Sequence, residues 1–223
     1  MKKIVYLIIT IAMLFVTSSC KSEVDLTAYV SQLRENVYAC EVDGVKISVY
    51  SERRESPFIA DSYVGKLKNI LIVKIDAPTI VDDAKISISY DDISANGTFD
   101  YNPIGAKYTT VIEVEKLPTK QEFNGVFMVG EKQTEVLFKS TVASGSISSK
   151  DAINSVKKYD SKTINNLFNS DRVEAEIHIR IMPGGERNYY YVGLVTKDGN
   201  TTAYLVDGTS GEVLAKKTCK TYN

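Results

Sequence analysis

His178 is the one imidazole in the chain, and its neighbours decide what chemistry it could do. A hydrolase of the serine or cysteine kind needs a nucleophile beside a His base that a third group orients. His178 instead sits in Val173-Glu174-Ala175-Glu176-Ile177-His178-Ile179-Arg180, whose alternation places it on one strand face with Glu174, Glu176 and Arg180. A Gly-x-Ser-x-Gly elbow is missing, since Gly145-Ser146-Ile147-Ser148-Ser149 breaks the pattern. Cys20, Cys40 and Cys219 lack the surroundings of a catalytic thiol. One His and three Cys exclude most structural zinc sites, which take four such ligands. The doublets Asp82-Asp83 and Asp91-Asp92 point apart when extended, whereas glycoside hydrolysis needs carboxyls facing each other at about 5–9.5 Å. Asp91 to Gly97 departs from calcium-loop spacing, and no phosphate-cradling glycine motif occurs. The sequence therefore predicts no catalytic residue, metal or cofactor; a hydrolase with an unrecognised site is the remaining enzymatic alternative.

Binding is the chemistry left. Fourteen Tyr and no Trp allow stacking on sugars or peptides, although tyrosine is also an ordinary strand former. The 27 Lys and Arg against 28 Asp and Glu give a net charge of -1, which excludes an electrostatically driven nucleic-acid binder. With 43% apolar and 25% charged residues, the 223-residue chain is globular in composition and long enough for one or two domains.

Residues 1–19 stand outside the fold. Lys2 and Lys3 precede the apolar run Ile4 to Val16, and Thr17-Ser18-Ser19 supplies small residues before Cys20. This is a secretory signal layout, too short for a comfortable bilayer span. Together with Cys20 it resembles the lipobox of bacterial lipoproteins, with Thr17 where that family usually has Leu. The resemblance implies cleavage before Cys20, diacylglycerol on its thiol, and a body held on the outer side of the cytoplasmic membrane of a bacterial envelope. Residues 20–24 are then a tether. Lys2 and Lys3 are the charges lost, so the remaining 25 cations and 28 anions leave -3.

The elements that position everything else change character along the chain. Asp25 to Leu33 reads as a short amphipathic helix, with Leu26, Tyr29, Val30, Leu33 and Val37 on one stripe and Asp25 as cap. Period-two runs follow to Val142: Cys40 to Tyr50 around an Asp43-Gly44 turn, then Ile70–Ile75, Lys85–Tyr90, Tyr108–Val114, Phe123–Val129 and Thr134–Phe138. Asn96-Gly97 is expected as a further turn, and 52–68 as a long irregular connection. The spacing predicts an antiparallel β-sandwich or barrel-like domain over 25–142. Cys40 sits in this alternation as a small core residue. An oxidising exterior would also permit a Cys40–Cys219 disulfide, which sequence alone leaves open.

Residues 143–146, Ala-Ser-Gly-Ser, form a joint. Beyond it Ser148 and Asp151 form the ends of a capping box, with Ala152, Ile153, Val156 and Tyr159 facing one way. Three strands follow, ending at Pro183-Gly184-Gly185, Lys197-Asp198-Gly199-Asn200 and Asp207-Gly208, and a short last strand begins at Gly211. A helix plus antiparallel meander makes the whole chain mainly β with an α+β C-terminal part. Ile147-Ser148-Ser149-Lys150-Asp151-Ala152 and Tyr204-Leu205-Val206-Asp207-Gly208-Thr209-Ser210-Gly211-Glu212-Val213-Leu214 resemble the opening helix and closing strands of a PepSY domain over 147–217, leaving 218–223 as a tail. The resemblance implies an extracytoplasmic module that binds or regulates a surface peptidase.

Reversal at Gly184-Gly185 places Arg180 opposite Tyr189 and His178 opposite Tyr191; reversal at Asp198-Gly199 places Gly193 opposite Tyr204. His178, Arg180, Tyr189, Tyr191 and Tyr204 then share a face away from the helix, a candidate surface for an envelope protein. That face is either open or docked on the N-terminal domain. A cell-wall or glycan-binding module is the alternative function.

Overall fold

The computed structural model describes residues 24–76, 83–102, 107–169 and 172–220. The signal segment, Cys20 and Asp82 lie outside these. A 3-10 turn, Leu26–Tyr29, comes first, and Asp25 caps it by accepting from Thr27 N at 3.0 Å and Thr27 Oγ1 at 2.8 Å. The expected helix to Leu33 stops there. Val30 begins strand β1 (Val30–Val42), because from Gln32 onward the backbone finds ladder partners on β2 (Val45–Glu55). A ladder across a whole sheet outweighs one further helical turn. The apolar stripe keeps its purpose, since Leu26, Val30 and Val37 are buried in a common core. The β1–β2 turn is Asp43-Gly44, both with positive φ (52° and 75°), the backbone a two-residue hairpin requires.

Strands β3 (Leu67–Asp76), β4 (Ala84–Tyr90), β5 (Ile93–Thr98), β6 (Asp100–Asn102), β7 (Lys107–Val114), β8 (Glu122–Val129) and β9 (Lys132–Ser140) complete the first half. From β1 the sheet runs one way through β2, β3, β7 and β6, and the other through β9, β8, β4 and β5. The two paths curl toward each other at Gly97 of β5. A Cβ there would lie 2.7 Å from Thr110 Oγ1 of β7, so glycine permits the close approach. The result is a nearly closed antiparallel barrel around Tyr38, Ile47, Leu71, Ile86, Phe123 and Phe138. Tyr38 is fully buried, and its hydroxyl donates to the carbonyls of Pro118 and Lys120, both at 3.0 Å. Asn96-Gly97 is therefore inside a strand and not a turn. The reversal lies at Asp91-Asp92, where Asp91 takes φ 48° and Tyr90 pairs with Ile93.

The second half has helices α1 (Ser149–Tyr159) and α2 (Ser161–Leu167), a small pair β10 (Phe168–Asn169) and β11 (Arg172–Val173), then β12 (Ala175–Pro183), β13 (Asn188–Thr196), β14 (Thr201–Asp207) and β15 (Val213–Cys219). Ser148 and Asp151 form the capping box on α1. Helix α2 has no counterpart in the expectation. Asp160 ends α1 and caps α2 through Thr163 N at 3.3 Å, and seven residues with Ile164 as the one buried side chain are too few to show a period. The meander β12-β13-β14-β15 carries Ile177, Ile179, Tyr190, Val192 and Val206 against Ala152, Ile153 and Val156 of the helix.

The two halves share one sheet. β12 pairs parallel with the first part of β1, from Val30↔Ile177 to Arg34↔Arg180, so β1 carries β2 on one edge and β12, then β9, on the other. The joint at 143–146 is tied down: Asn188 donates to the Ala143 carbonyl at 2.9 Å and to Ser146 Oγ, and accepts from Ala143 N at 3.2 Å. Cys40 and Cys219 are both free thiols. They are not bridged because β15 lies four strands from β1, about 19 Å at ordinary strand spacing, and a disulfide spans at most about 6.8 Å between Cα atoms.

Candidate binding site

A polar stripe crosses five neighbouring strands, β13-β12-β1-β2-β3, on the sheet face away from α1. Its centre is Glu52 of β2, fully buried. Glu52 accepts from Arg34 Nε at 2.7 Å and again from the same guanidinium, and from Gln32 Nε2 at 2.8 Å; Arg54 lies 3.9 Å away. Gln32 in turn accepts from Arg180 Nε and Nη2 at 3.0 and 2.7 Å. Arg180 stands over the Tyr191 ring at 5.4 Å, and at the other end Arg34 and Lys74 flank the Tyr50 ring at 4.4 and 5.1 Å. Burial and the neighbouring Arg34 lower the pKa of both Lys74 and Arg180 from their ordinary values. Four cations thus crowd about the Glu52 carboxylate, an excess of positive charge on a chain of net charge -1. Cations outnumber the one carboxylate at the centre of this patch, and its charges and rings are already ordered.

Beside the stripe the barrel and the β12–β13 hairpin diverge, since β1 leaves β12 after Arg34. The cleft between them holds about 610 Å³ and is lined by Arg34, Lys46, Tyr50, Thr141, Met182 and Gly185 among others. Among the described residues no group of three or more His, Cys, Asp or Glu gathers as a metal site would need.

The expected partner face is partly redrawn. His178 pairs with Gly193, Arg180 with Tyr191 and Met182 with Tyr189. This is a shift of two residues that keeps the faces, because the β12–β13 loop spans 184–187 and is closed by Gly184 N on Arg187 O at 2.7 Å. The Tyr191 ring lies over Gly193, where a Cβ would meet its hydroxyl at 2.7 Å. Tyr204 must be moved. The β13–β14 loop has three residues, Lys197-Asp198-Gly199, with Gly199 at φ 78° and Thr196 N bonded to Asn200 O at 2.9 Å. An odd loop flips the parity, so Val192 opposes Tyr204 and that ring turns to the helix side. It is buried there, its hydroxyl donating to Asp160 at 2.8 Å beside Lys216. Burial pushes the Asp160 pKa up, but the bonds from Lys216, Tyr204 and Thr163 outweigh it and hold the carboxyl well below the usual range.

His178 is half-covered by residues 56–66, the loop joining β2 to β3. Phe58 stacks edge-on at 4.8 Å. Burial, with Arg180 second, lowers the His178 pKa to about 4, so the ring is neutral near pH 7 and its buried Nε2 meets no hydrogen-bond partner among the described residues. Glu176, fully buried, accepts from Ser62 N at 3.2 Å, and Glu55 accepts from Gly65 N at 3.2 Å. Burial, then the nearby Glu55 charge, raises the Glu176 pKa. The face is therefore neither open nor wholly docked. Its Glu176–His178 end is roofed by a barrel loop, and Arg180, Tyr189 and Tyr191 stay part-exposed beside the cleft.

Cys40 is half-buried, and burial pushes its thiol up to about 12, away from thiolate chemistry. No helix among the described residues is long and apolar enough to cross a membrane. No protein-family model matches this chain, and no curated protein matches it. Among solved structures, the YpmB protein from Bacillus subtilis is similar over 63% of this chain and 86% of its own, at 16% identity and a TM-score of 0.24. At that score the likeness supports no statement about function.

Proposed function

We propose that this is a non-enzymatic binding protein, held outside the cytoplasmic membrane by lipid on Cys20, that takes an anionic segment of another envelope protein along the Arg180–Arg34 stripe and its cleft. The observation behind it is the ordered excess of cations, Arg34, Arg54, Arg180 and Lys74, interleaved with Tyr50 and Tyr191 at an open cleft. Guanidinium and aromatic groups held in place lose little entropy on binding, and they are the types that anchor interfaces. The PepSY resemblance of 147–217 makes a surface peptidase the class of partner to seek. Lys46→Glu changes a residue that lines the cleft, and Tyr191→Ala removes the ring beside Arg180 while leaving the hydrogen bonds of Glu52, Gln32 and Arg180 in place. Capture of one envelope protein by the wild-type chain, lost in the double variant at unchanged thermal midpoint, supports the reading. Equal capture by both, or retention on purified peptidoglycan in its place, contradicts it.

A further inference from the structure

The loop 56–66 presents an apolar tip that nothing in the stripe uses. Phe58, Ile59 and Tyr63 are 42%, 57% and 72% exposed, within six positions of one another. The other exposed large apolar residues among those described, Tyr101, Val111, Leu137, Tyr159 and Leu214, lie on five different elements. Single exposed apolar side chains are ordinary, whereas a cluster marks a contact. The loop is also held in that pose. Ser62 N and Gly65 N are bonded to Glu176 and Glu55, Tyr63 N to Asp61 Oδ1 at 2.9 Å, and Phe58 rests its edge on His178.

We propose that this loop is a second membrane contact, inserting Phe58, Ile59 and Tyr63 into the interface of an anionic bilayer. Charge and position both select a bilayer over a protein. Exposed Arg53 and Lys66 stand at the two roots of the loop, where anionic headgroups would meet them, and the loop's own acid, Asp61, is turned to the Tyr63 amide. Rings and aliphatics flanked by Arg and Lys are the composition of a membrane interface. The loop also leaves the sheet at the end from which the N-terminal tether leaves it. Gln32 near the start of β1 pairs with Arg54 near the end of β2, so residue 56 emerges beside Val30. Asp25 stands five positions after Cys20, a reach of at most about 17 Å. This position argument rests on the reading of Cys20 as the lipid site; the exposure and charge arguments do not. A diacylglycerol on Cys20 would hold the chain at the bilayer without fixing how the body sits there, and a second apolar contact beside it holds the body to the surface in one orientation.

The chain has no Trp, so Tyr63→Trp gives a single reporter. The unlipidated chain from residue 21, which contains every described residue, is titrated with vesicles of phosphatidylglycerol and phosphatidylcholine, and with phosphatidylcholine alone. The expected result is a blue shift on the anionic vesicles, quenched by lipids brominated near the headgroup. Adding Ile59→Ser, which leaves Phe58 on His178, should lower partitioning by about tenfold at unchanged thermal midpoint, since one lost apolar anchor is worth that much. No shift on anionic vesicles, or partitioning that Ile59→Ser leaves undiminished, overturns the proposal. Either failure leaves the lipidation reading standing, because that is read separately from the mass of the mature N-terminus and its loss in Cys20→Ala.

Discussion

The half-covered ring of His178 and the buried carboxyl of Glu176 sit side by side under one loop and bias stability in opposite directions. Between pH 6.5, its ordinary value, and about 4, the unfolded His178 binds a proton that the folded one refuses. Stability from this residue therefore falls as pH drops through that window. Glu176 has a raised pKa, so its folded form holds a proton the unfolded one has released, and its contribution falls as pH rises from 4.5. His178→Gln should flatten the acid-side loss, measured as denaturant midpoints from pH 4 to 7; an unchanged slope would place the loss in other groups. Tyr204→Phe should cost about 1.5 kcal/mol by removing a buried bond to the Asp160 carboxylate, and should leave partner capture intact. Loss of capture at full stability would return Tyr204 to the partner face. The types of these residues were plain in the sequence, but their partners were not. Glu52 follows Ile47, Val49 and Ser51, all turned into the barrel, so alternation puts it on the outer, solvated side. It is buried because β12 arrives there, joining Arg180 to Gln32 across 148 positions, a contact no local pattern records.

Among the elements, strands and the first helix were legible where one face is apolar and a turn has unmistakable chemistry. The Asp43-Gly44 hairpin and the Ser148 cap form as their residues demand. Errors arose where the number of loop residues decides the register. Lys197-Asp198-Gly199 reads equally as a two- or three-residue reversal, and that choice alone turned Tyr204 through the sheet. Asn96-Gly97 carries a strong turn signal, yet Gly97 serves the approach of β5 to β7. Sequence also marks 143–146 as flexible, whereas Asn188 holds the Ala143 backbone at one end and the Ser146 hydroxyl at the other. Limited trypsin digestion should therefore cut first at Lys66, on the exposed loop, and spare the segment around the joint. Early cleavage within a few residues of the joint, at Lys139 or Lys150, would show that those bonds open readily.

Across the whole molecule, β1 is the element that makes two halves into one body. Tyr38 belongs to the barrel core, while Leu26, Val30 and Val37 on the same strand or just before it belong to the core under the helix. The stripe exists because of this sharing, since Arg34 and Gln32 of β1 stand between Glu52 of one half and Arg180 of the other. The direct measurement of what the stripe does is site-specific photo-crosslinking in cells. A photoreactive amino acid is placed in turn at position 46, at position 191, and at position 214, an exposed residue on β15 at the far edge of the sheet. A binding protein that works through the stripe cross-links to the same envelope protein from 46 and 191 and to nothing from 214. Adducts from 214 alone, or none from 46 and 191 while the protein remains folded and in the envelope, would contradict it.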